Sequence, residues 1–217
     1  GFDPQVEGWS YKFFDKNDKE RKSTSQDFRL SFHDLILGVF YKNLIESDEA
    51  NGYLFGGLSN SAKSQYDFGV YSGYFKYDWK INPKIKLTTN YRLEKNTIDY
   101  SGQSEGIDYY YNTIDLPNVK HSNSFFMNGY RASIIIEKTQ SLNYFGSIAK
   151  GYKSGGVNQQ PYINNKNRNY GPEELRTLEF GIKYFSDKFY TNINLFHGLR
   201  ANQQISISSQ QIEGDPN

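Results

Sequence analysis

The residues that could perform acid–base or metal chemistry are widely separated in this sequence. His33, His121 and His197 do not have the spacing of a metal site. Glu173 and Glu174 are adjacent, and neighbouring side chains of a strand point to opposite faces, so these carboxylates cannot work as a pair on one face. The 217 residues include no cysteine, which excludes thiolate ligands and a cysteine nucleophile. The sequence therefore predicts no enzyme, no catalytic residue, no metal site and no cofactor.

Two groups of residues could instead bind a ligand. Aromatic rings in an outer loop can stack on a chelate or a sugar, and tyrosine can also hydrogen-bond to either. The aromatic candidates are Tyr109, Tyr110 and Tyr111. Basic side chains can attract an anionic ligand, and the basic candidates are Arg131, Lys153 and Arg176. Two alternatives stay open, because the tyrosines could simply pack within their loop and the cations could pair with Glu179 or with carboxylates elsewhere in the protein.

The composition places most of the apolar surface on aromatic rings. Hydrophobic residues make up only 36% of the chain, whereas aromatic residues reach 17%, with 19 Tyr and 16 Phe. Tyrosine has an apolar body and a polar tip, which suits a lipid–water boundary and also a carbohydrate-binding surface. The formal net charge of +1 provides no field that would attract nucleic acid, so we expect no nucleic-acid partner.

Residues 84–94 alternate between apolar and polar side chains with a period of two. The odd positions are Ile85, Leu87, Thr89, Tyr91 and Leu93. This pattern predicts a strand with one wet face, and its length matches the roughly 9–11 residues of a tilted membrane strand. Residues 71–81 repeat the pattern and are joined to the first run by an Asn-Pro turn. Near the end of this hairpin, Tyr77 and Trp79 are typical of an interfacial girdle.

The same alternation predicts about nine antiparallel strands, of which the first covers residues 8–14. Short turns are predicted near residues 33, 82, 141 and 186, and longer links at residues 15–24, 46–65, 101–124 and 153–173. Strict alternation of short and long connections is typical of an outer-membrane β-barrel, which has short periplasmic turns and long extracellular loops.

Many charged side chains fall on the wet face of these strands. They are Lys86, Arg92, Glu94, Arg131, Glu137, Glu179 and Lys183. A barrel of eight strands has an interior only wide enough for its own side chains, so these charges predict a wider, water-filled or plugged lumen. We therefore expect the chain to form part of a larger antiparallel transmembrane β-barrel.

Two segments resemble the TonB-dependent outer-membrane receptors. Residues 144–158 read as an aromatic strand followed by a basic, aromatic and Gly-Gly signature, and residues 170–183 read as the Pro-Glu…Glu-aromatic-Gly-x-Lys strand of that family. Residues 85–100 and 189–196 resemble other strands of the same receptors, so the resemblance covers residues 66–200 well and the first 65 weakly. The chain departs from a complete receptor because it carries no plug domain, no TonB box and no aromatic C-terminal residue.

The resemblance implies that residues 1–217 are part of the β-barrel domain of a plugged, 22-stranded receptor. Such proteins lie in the outer membrane of Gram-negative bacteria, contact its lipid, and import a scarce small molecule with energy from the TonB complex. A ferric siderophore is the expected ligand, and haem, cobalamin or glycans are others that the family carries. A passive porin or autotransporter-like pore and a soluble, tyrosine-rich, carbohydrate-binding β-sandwich remain as alternatives.

Overall fold

The computed structural model of the protein describes residues 13–54, 57–107, 112–159 and 168–205. Within those ranges the chain forms ten β-strands and no helix that could cross a membrane. The strands are β1 (Phe13–Phe32), β2 (Leu35–Leu54), β3 (Gly57–Asn82), β4 (Ile85–Ile107), β5 (Thr113–Thr139), β6 (Leu142–Lys153), β7 (Gly156–Val157), β8 (Asn169–Tyr170), β9 (Glu173–Phe185) and β10 (Tyr190–Ala201).

Eight of these strands form one antiparallel sheet, and β7 and β8 form a separate small pair. The order in the sheet is β1-β2-β3-β4-β5-β6-β9-β10, so each strand pairs with its neighbour along the chain apart from the excursion through β7 and β8. Short turns join the strands near residues 33, 83, 140 and 187, as predicted. In the first of them His33 has a φ of 50°, a left-handed conformation that suits a two-residue hairpin turn.

The prediction of long loops is wrong for three of the four links, because the strands continue through those residues. Residues 15–24 belong to β1, and residues 46–65 and 101–124 lie mostly in β2, β3, β4 and β5. Their polar side chains lack apolar alternation, but a hydrogen-bonded ladder that is already in register can continue into water. The fourth link is confirmed, since β6 ends at Lys153 and β9 begins at Glu173. Of the predicted first strand, residues 8–12 lie outside the described residues, and Phe13 and Phe14 open β1.

The sheet has one apolar and one polar face over the half that is nearest the short turns. We call these the outward and inward faces, and we call the two ends of the sheet the turn end and the extended end. The outward side chains include Phe28, Leu30, Phe32, Leu37, Val39, Phe75, Trp79, Leu93, Ile148, Leu178, Phe180, Ile182, Ile193 and Leu195, and all of these are exposed. The register places every predicted lumen charge on the inward face. Within the described residues no second sheet packs on this apolar face, as the soluble β-sandwich alternative would require.

The outward apolar band has the height of a bilayer interior. On β4 it runs from Ile85 to Leu93, which is about nine residues or, at ~3.3 Å per residue and a tilt of ~40°, about 23 Å. Aromatic pairs lie at its borders. The ring centroids of Tyr77 and Trp79 are 4.4 Å apart near the turn end, and those of Tyr41 and Tyr71 are 5.2 Å apart on the other side.

Along the strands that the structure describes, irregularities of register occur only outside this band. Two lie at the extended end, between Gly52 and Tyr53 and between Gly102 and Ser104. Two lie at the turn end, between Lys80 and Asn82 and between Glu137 and Thr139. Each is a β-bulge or similar shift that changes the pairing locally while the adjoining ladder stays in phase.

At the extended end, the inward face is covered by a small hydrophobic cluster. Its buried members are Ile98, Tyr100, Val119 and Val157, with Tyr66, Phe68 and Phe125 packed against them. Val157 comes from β7, and the Tyr100 hydroxyl donates to the carbonyl of Gln159 at 3.0 Å. The pair β7–β8 therefore folds over the inward side of the long strands.

Candidate functional site

A groove of about 550 Å³ lies on the inward face of the sheet. Its lining includes basic, aromatic and amide side chains from β1 to β5, namely Asp27, Arg29, Phe40, Tyr74, Lys76, Asn90, Arg92 and Arg131. Alternation along five neighbouring strands brings these residues together, because every second side chain of each strand points inward. The lining of the groove therefore includes five basic residues, the four named here and Lys150 of β6, together with the aromatic rings of Phe40 and Tyr74.

Tyr74 is fixed at one side of the groove by a glycine and two charged residues. Gly38 lies directly opposite it, and a Cβ at that position would clash with the Tyr74 ring. The Tyr74 hydroxyl donates to Asp27 Oδ1 at 2.7 Å and accepts from Arg29 Nε at 3.2 Å. Arg29 Nη2 also lies 3.1 Å from Asp27 Oδ2, so the three side chains form a closed network.

Arg92 is held on the other side of the groove. Its Nε and Nη2 donate to Glu94 Oε2 at 2.8 and 2.6 Å, and its Cζ lies 5.4 Å from the centre of the Phe40 ring. The Tyr152 hydroxyl also donates to Glu94 Oε2, at 3.1 Å. Its ring passes over Gly129, where a Cβ would come within 3.0 Å of Tyr152 Cε1. Sequence reasoning placed Arg92 and Glu94 in the lumen but missed Tyr152, since no spacing signal links residues 58 apart.

Arg131 is the one basic candidate that lines the groove. Its Nη2 lies 3.8 Å from Glu179 Oε2, so the alternative in which Arg131 pairs with Glu179 is what the structure shows. Glu179 also accepts from Asn194 Nδ2 at 2.6 Å and from Ser147 Oγ at 3.3 Å. The side chain of Arg131 is still 56% exposed despite this contact, so its guanidinium can bind a ligand.

The other candidates lie elsewhere. Lys153 ends β6 and borders a depression of about 970 Å³ at the extended end, together with Tyr170 and Gln204. Arg176 is on the same face of β9 as Leu178 and Phe180, because these positions are two residues apart. It therefore lies on the outward face, whereas Arg131 lies on the inward face. Its Nη2 contacts Glu174 Oε2 at 3.3 Å. The structure therefore does not bring Arg176 and Arg131 together. The candidates Tyr109, Tyr110 and Tyr111 lie outside the described residues.

At the extended end, buried polar groups have shifted acidities. Burial alone would raise the pKa of Glu46, but hydrogen bonds and charge from Lys19 and Arg21 outweigh it, and the pKa is lowered from its ordinary value of 4.5. Lys19 Nζ lies 2.7 Å from Glu46 Oε1. Burial raises the pKa of Tyr66 to about 12, with smaller contributions from Tyr170 and Glu46. Tyr66 therefore stays neutral in any physiological medium.

In the part of the chain that the structure describes, no three histidine, aspartate or glutamate side chains converge as metal ligands. What the groove offers is hydrogen-bond donors, positive charge and aromatic faces. These features can bind and orient an anionic molecule.

The family model of the TonB dependent receptor-like β-barrel matches residues 3–217. The chain belongs to this family. Members of the family are receptors and transporters, and they are located in the outer membrane of Gram-negative bacteria, as this chain therefore is. The resemblance seen in the sequence is confirmed.

One solved structure with a TM-score above 0.5 agrees on the fold. The ferric yersiniabactin uptake receptor FyuA from Yersinia pestis matches with a TM-score of 0.76 and 14% identity over 89% of this chain and 30% of its own. The ferric-catecholate import receptor Fiu from K12 E. coli matches with a TM-score of 0.48 and 15% identity over 83% and 31%. The siderophore receptor PiuA from Acinetobacter baumannii matches with a TM-score of 0.47 and 13% identity over 87% of this chain and 32% of its own. A sequence search of curated proteins finds no match. The chain thus spans about a third of the length of these receptors.

Proposed function

We propose that the protein takes part in active import of a scarce anionic ligand across the outer membrane, and that the ligand is a ferric siderophore. The observation that supports this most directly is the groove on the inward face, where Arg29, Lys76, Arg92 and Arg131 lie beside two aromatic rings. Ferric chelates commonly present oxygen anions and aromatic or other planar groups. Guanidinium groups and aromatic faces suit both of those features.

The arginines of the groove retain donors for such a ligand. A guanidinium has five N–H donors, and Arg92 directs only two N–H groups at Glu94. Arg131 stands 3.8 Å from its carboxylate, which is beyond hydrogen-bond distance. These arginines are positioned by neighbouring carboxylates and still have unused N–H donors. They can therefore bind an incoming oxygen anion without first being ordered.

We further propose a route for the ligand. Outer-membrane barrels have short turns on the periplasmic side, so the extended end faces the exterior. Tyr109, Tyr110, Tyr111 and Lys153 would make the first contacts there, and the groove would receive the ligand afterwards. Arg176 points outward and has no part in this route.

The rest of the receptor lies beyond this chain in our proposal. Residues 1–217 would be one part of a barrel domain of about 22 strands, closed by wall strands that pair with β1 and β10. A plug domain outside the chain would fill the lumen and transmit energy from the TonB complex. A passive porin or autotransporter-like pore is the second candidate, because an open sheet of this kind could also surround an unplugged channel.

The decisive experiment is uptake by cells that lack the gene and carry it again on a plasmid. The panel contains radio-iron chelates of several classes, together with haem, cobalamin and glycans. We expect uptake of at least one iron chelate, and we expect it to stop when the proton-motive force is collapsed. Uptake that continues without that force, in proportion to concentration, would establish a passive pore. Transport of a glycan and of no iron chelate would overturn the siderophore assignment.

Variants of the groove test the site itself. Replacing Arg92 or Arg131 with glutamine removes a charged donor, and we expect the half-saturating concentration of the transported ligand to rise about tenfold. Lys63→Gln is the matched control, since Lys63 is a 62% exposed cation at the extended end that pairs with Glu49. Equal behaviour of all three variants would argue against the groove.

A further inference from the structure

The part of β5 at the extended end has a neighbouring strand on one side only. β5 pairs with β4 from Thr113 to Ile136, whereas its pairing with β6 begins at Tyr130. Among the described residues, no strand pairs with the other side of β5 between residues 113 and 129. The reason is that β6 ends early, at Lys153, and is followed by the pair β7–β8 on the inward side. One edge of β5 is therefore left open above β6.

This edge lacks the features that normally protect a strand from pairing with another chain. Residues 121–129 include no lysine, arginine, aspartate, glutamate or proline. The register between β4 and β5 is regular there, since the shift lies further out, between Gly102 and Ser104. Edge strands are usually blocked by lysine, proline or a bulge, because an unblocked row of N–H and C=O groups accepts another strand. We call residues 120–128 the free edge of β5.

Contacts on the inward side hold the free edge in place. Asn123 Nδ2 donates to Asn169 Oδ1 at 2.9 Å, and Asn169 Nδ2 lies 3.4 Å from His121 Nδ1. The Phe125 ring lies against Gly155, where a Cβ would come within 2.6 Å of the ring. The edge is thus already ordered, which lowers the entropic cost of adding a strand to it.

The outward side of the free edge is open and positively charged. Ser124 and Phe126 are exposed, and Phe126 is 70% exposed. Lys95 Nζ lies 5.3 Å from the centre of the Phe126 ring, and Lys120 is exposed at the outer end of the edge. Within residues 95–101 and 120–128, which the structure describes in full, the outward carboxylate is that of Asp99. Two cations therefore face one anion on this surface.

An extended polypeptide is the partner whose chemistry fits this edge. The backbone N–H and C=O groups of a strand alternate with a spacing that another strand matches, and alternate side chains then determine specificity. The outward side chains of an added strand would lie near Lys95 and Lys120, where acidic groups are favoured. Its inward side chains would lie beside Phe125 and Met127, where aliphatic groups are favoured.

We propose that the free edge of β5 is a docking site for an extended peptide whose side chains alternate between acidic and aliphatic. The peptide joins the sheet as an added strand above β6. This docking site does not depend on which ligand is imported, so the failure of either proposal leaves the other intact.

The test uses the complete receptor that contains this chain, reconstituted in lipid nanodiscs. The probe is a synthetic nine-residue peptide of alternating glutamate and valine with both ends blocked. One control peptide is the same sequence with every amide N-methylated, and the other alternates lysine and valine. Fluorescence anisotropy measures the affinity, and we expect the probe to bind about tenfold more tightly than either control. Hydrogen–deuterium exchange locates the site, and the probe should slow exchange in residues 120–129 but not in residues 46–53.

A variant of the edge tests the location independently. Ser124→Glu places a carboxylate beside the glutamates of the probe, and the affinity should fall about fivefold because like charges on neighbouring strands repel. The matched control is Ser47→Glu, which makes the same change at an exposed outward position of β2, a strand that is paired on both sides. It should leave the affinity unchanged.

Three outcomes would overturn the docking site. Equal loss of affinity in the two variants would show that total charge attracts the peptide. Unchanged exchange in residues 120–129 of the wild-type protein, or equal binding of the N-methylated peptide, would show that no strand is added, and neither measurement requires a variant to fold. Equal binding of the lysine peptide would overturn the acidic character of the partner.

Discussion

The same strands obey different rules in the membrane and beyond it. Within the apolar band, the outward positions of β4 from Ile85 to Leu93 carry no charge. Beyond the band, outward positions carry ion pairs such as Lys16–Asp18, at 2.7 Å, and Lys22–Glu20, at 2.8 Å. The backbone ladder is continuous between the two parts. The comparison shows that backbone hydrogen bonding continues the strands beyond the lipid. The types of outward side chain differ between the two parts because the surrounding medium differs.

The sources of stability differ as well. In the membrane, every backbone group must be paired and the outward face needs no protein partner, because lipid covers it. In water, an uncovered sheet gains little from its polar faces. The extended end therefore has a buried cluster around Ile98 and an ion-paired Glu46 on its inward side.

The largest expected loss of stability follows from placing an arginine on the outward face within the membrane. Phe180→Arg places a cation in the lipid and should cost about 2–4 kcal/mol near the midplane. Ser122→Arg, on the outward face of the extended end and opposite Asp99, should change stability by less than about 0.5 kcal/mol. Urea unfolding of the reconstituted receptor measures both values. Similar losses at the two positions would mean that both parts meet the same solvent.

The next effect concerns a glycine in the membrane part. Gly38→Ala pushes against the Tyr74 ring and disturbs its bonds to Asp27 and Arg29, at an expected cost of about 1–3 kcal/mol. Gly73→Ala is the control, since a Cβ there meets nothing within 4 Å. The difference in unfolding midpoint between the two variants gives the contribution of the close approach. A neutral Gly38→Ala would show that the ring is not locked.

A smaller effect is expected from the hydrophobic cluster of the extended end. Ile98 is fully buried, with 0% exposure, and Ile98→Val removes one methylene at a cost of about 0.5–1.5 kcal/mol. We expect the loss to appear as faster amide exchange and proteolysis near β7 and β8, with little change in the membrane part. A uniform change along β4 would indicate that the two parts unfold as one unit.

The smallest effect involves Glu46 and depends on pH. Because its folded pKa is lowered, the ionised carboxyl stabilises the fold above pH 4.5, and this contribution is lost as pH falls through the lower folded value. Lys19 and Arg21 are 42% and 61% exposed, so Glu46→Gln should cost about 1 kcal/mol or less at neutral pH. Proteolysis of the extended end against pH is the measurement. Wild type and variant should converge below pH 4.5, whereas a constant gap would exclude this carboxyl as the cause.

The sequence predicted the membrane part better than the extended part, for a physical reason. Alternation in residues 84–94 records the contrast between lipid and lumen, and the structure confirms that strand and its partner. Residues 101–107 and 113–124 have no such contrast, because water covers most of their outward side, and the sequence could not distinguish them from loop. The sequence signal for a longer strand is limited to Ile98 and Tyr100, which are two positions apart and both lie on the inward face.

The candidate site was predicted in part. Alternation alone placed Arg92 and Arg131 in the lumen, and their basic character pointed to anion binding. The contact of Tyr152 with Glu94 depends on β6 reaching across β5 at Gly129, which is a property of the assembled sheet. The outward position of Arg176 could have been predicted, since its spacing from Leu178 and Phe180 follows the same period of two.

The four register shifts have a consequence for how the length of such a chain can vary. A residue gained or lost inside the lipid-facing stretch would reverse the phase of a whole strand and turn its apolar side chains towards water. The shifts beside Gly52 and Gly102, and those near Lys80 and Glu137, show where a one-residue mismatch is already absorbed without that reversal. The rims of the barrel can therefore lengthen or shorten freely, while the stretch between them is confined to changes of two residues at a time.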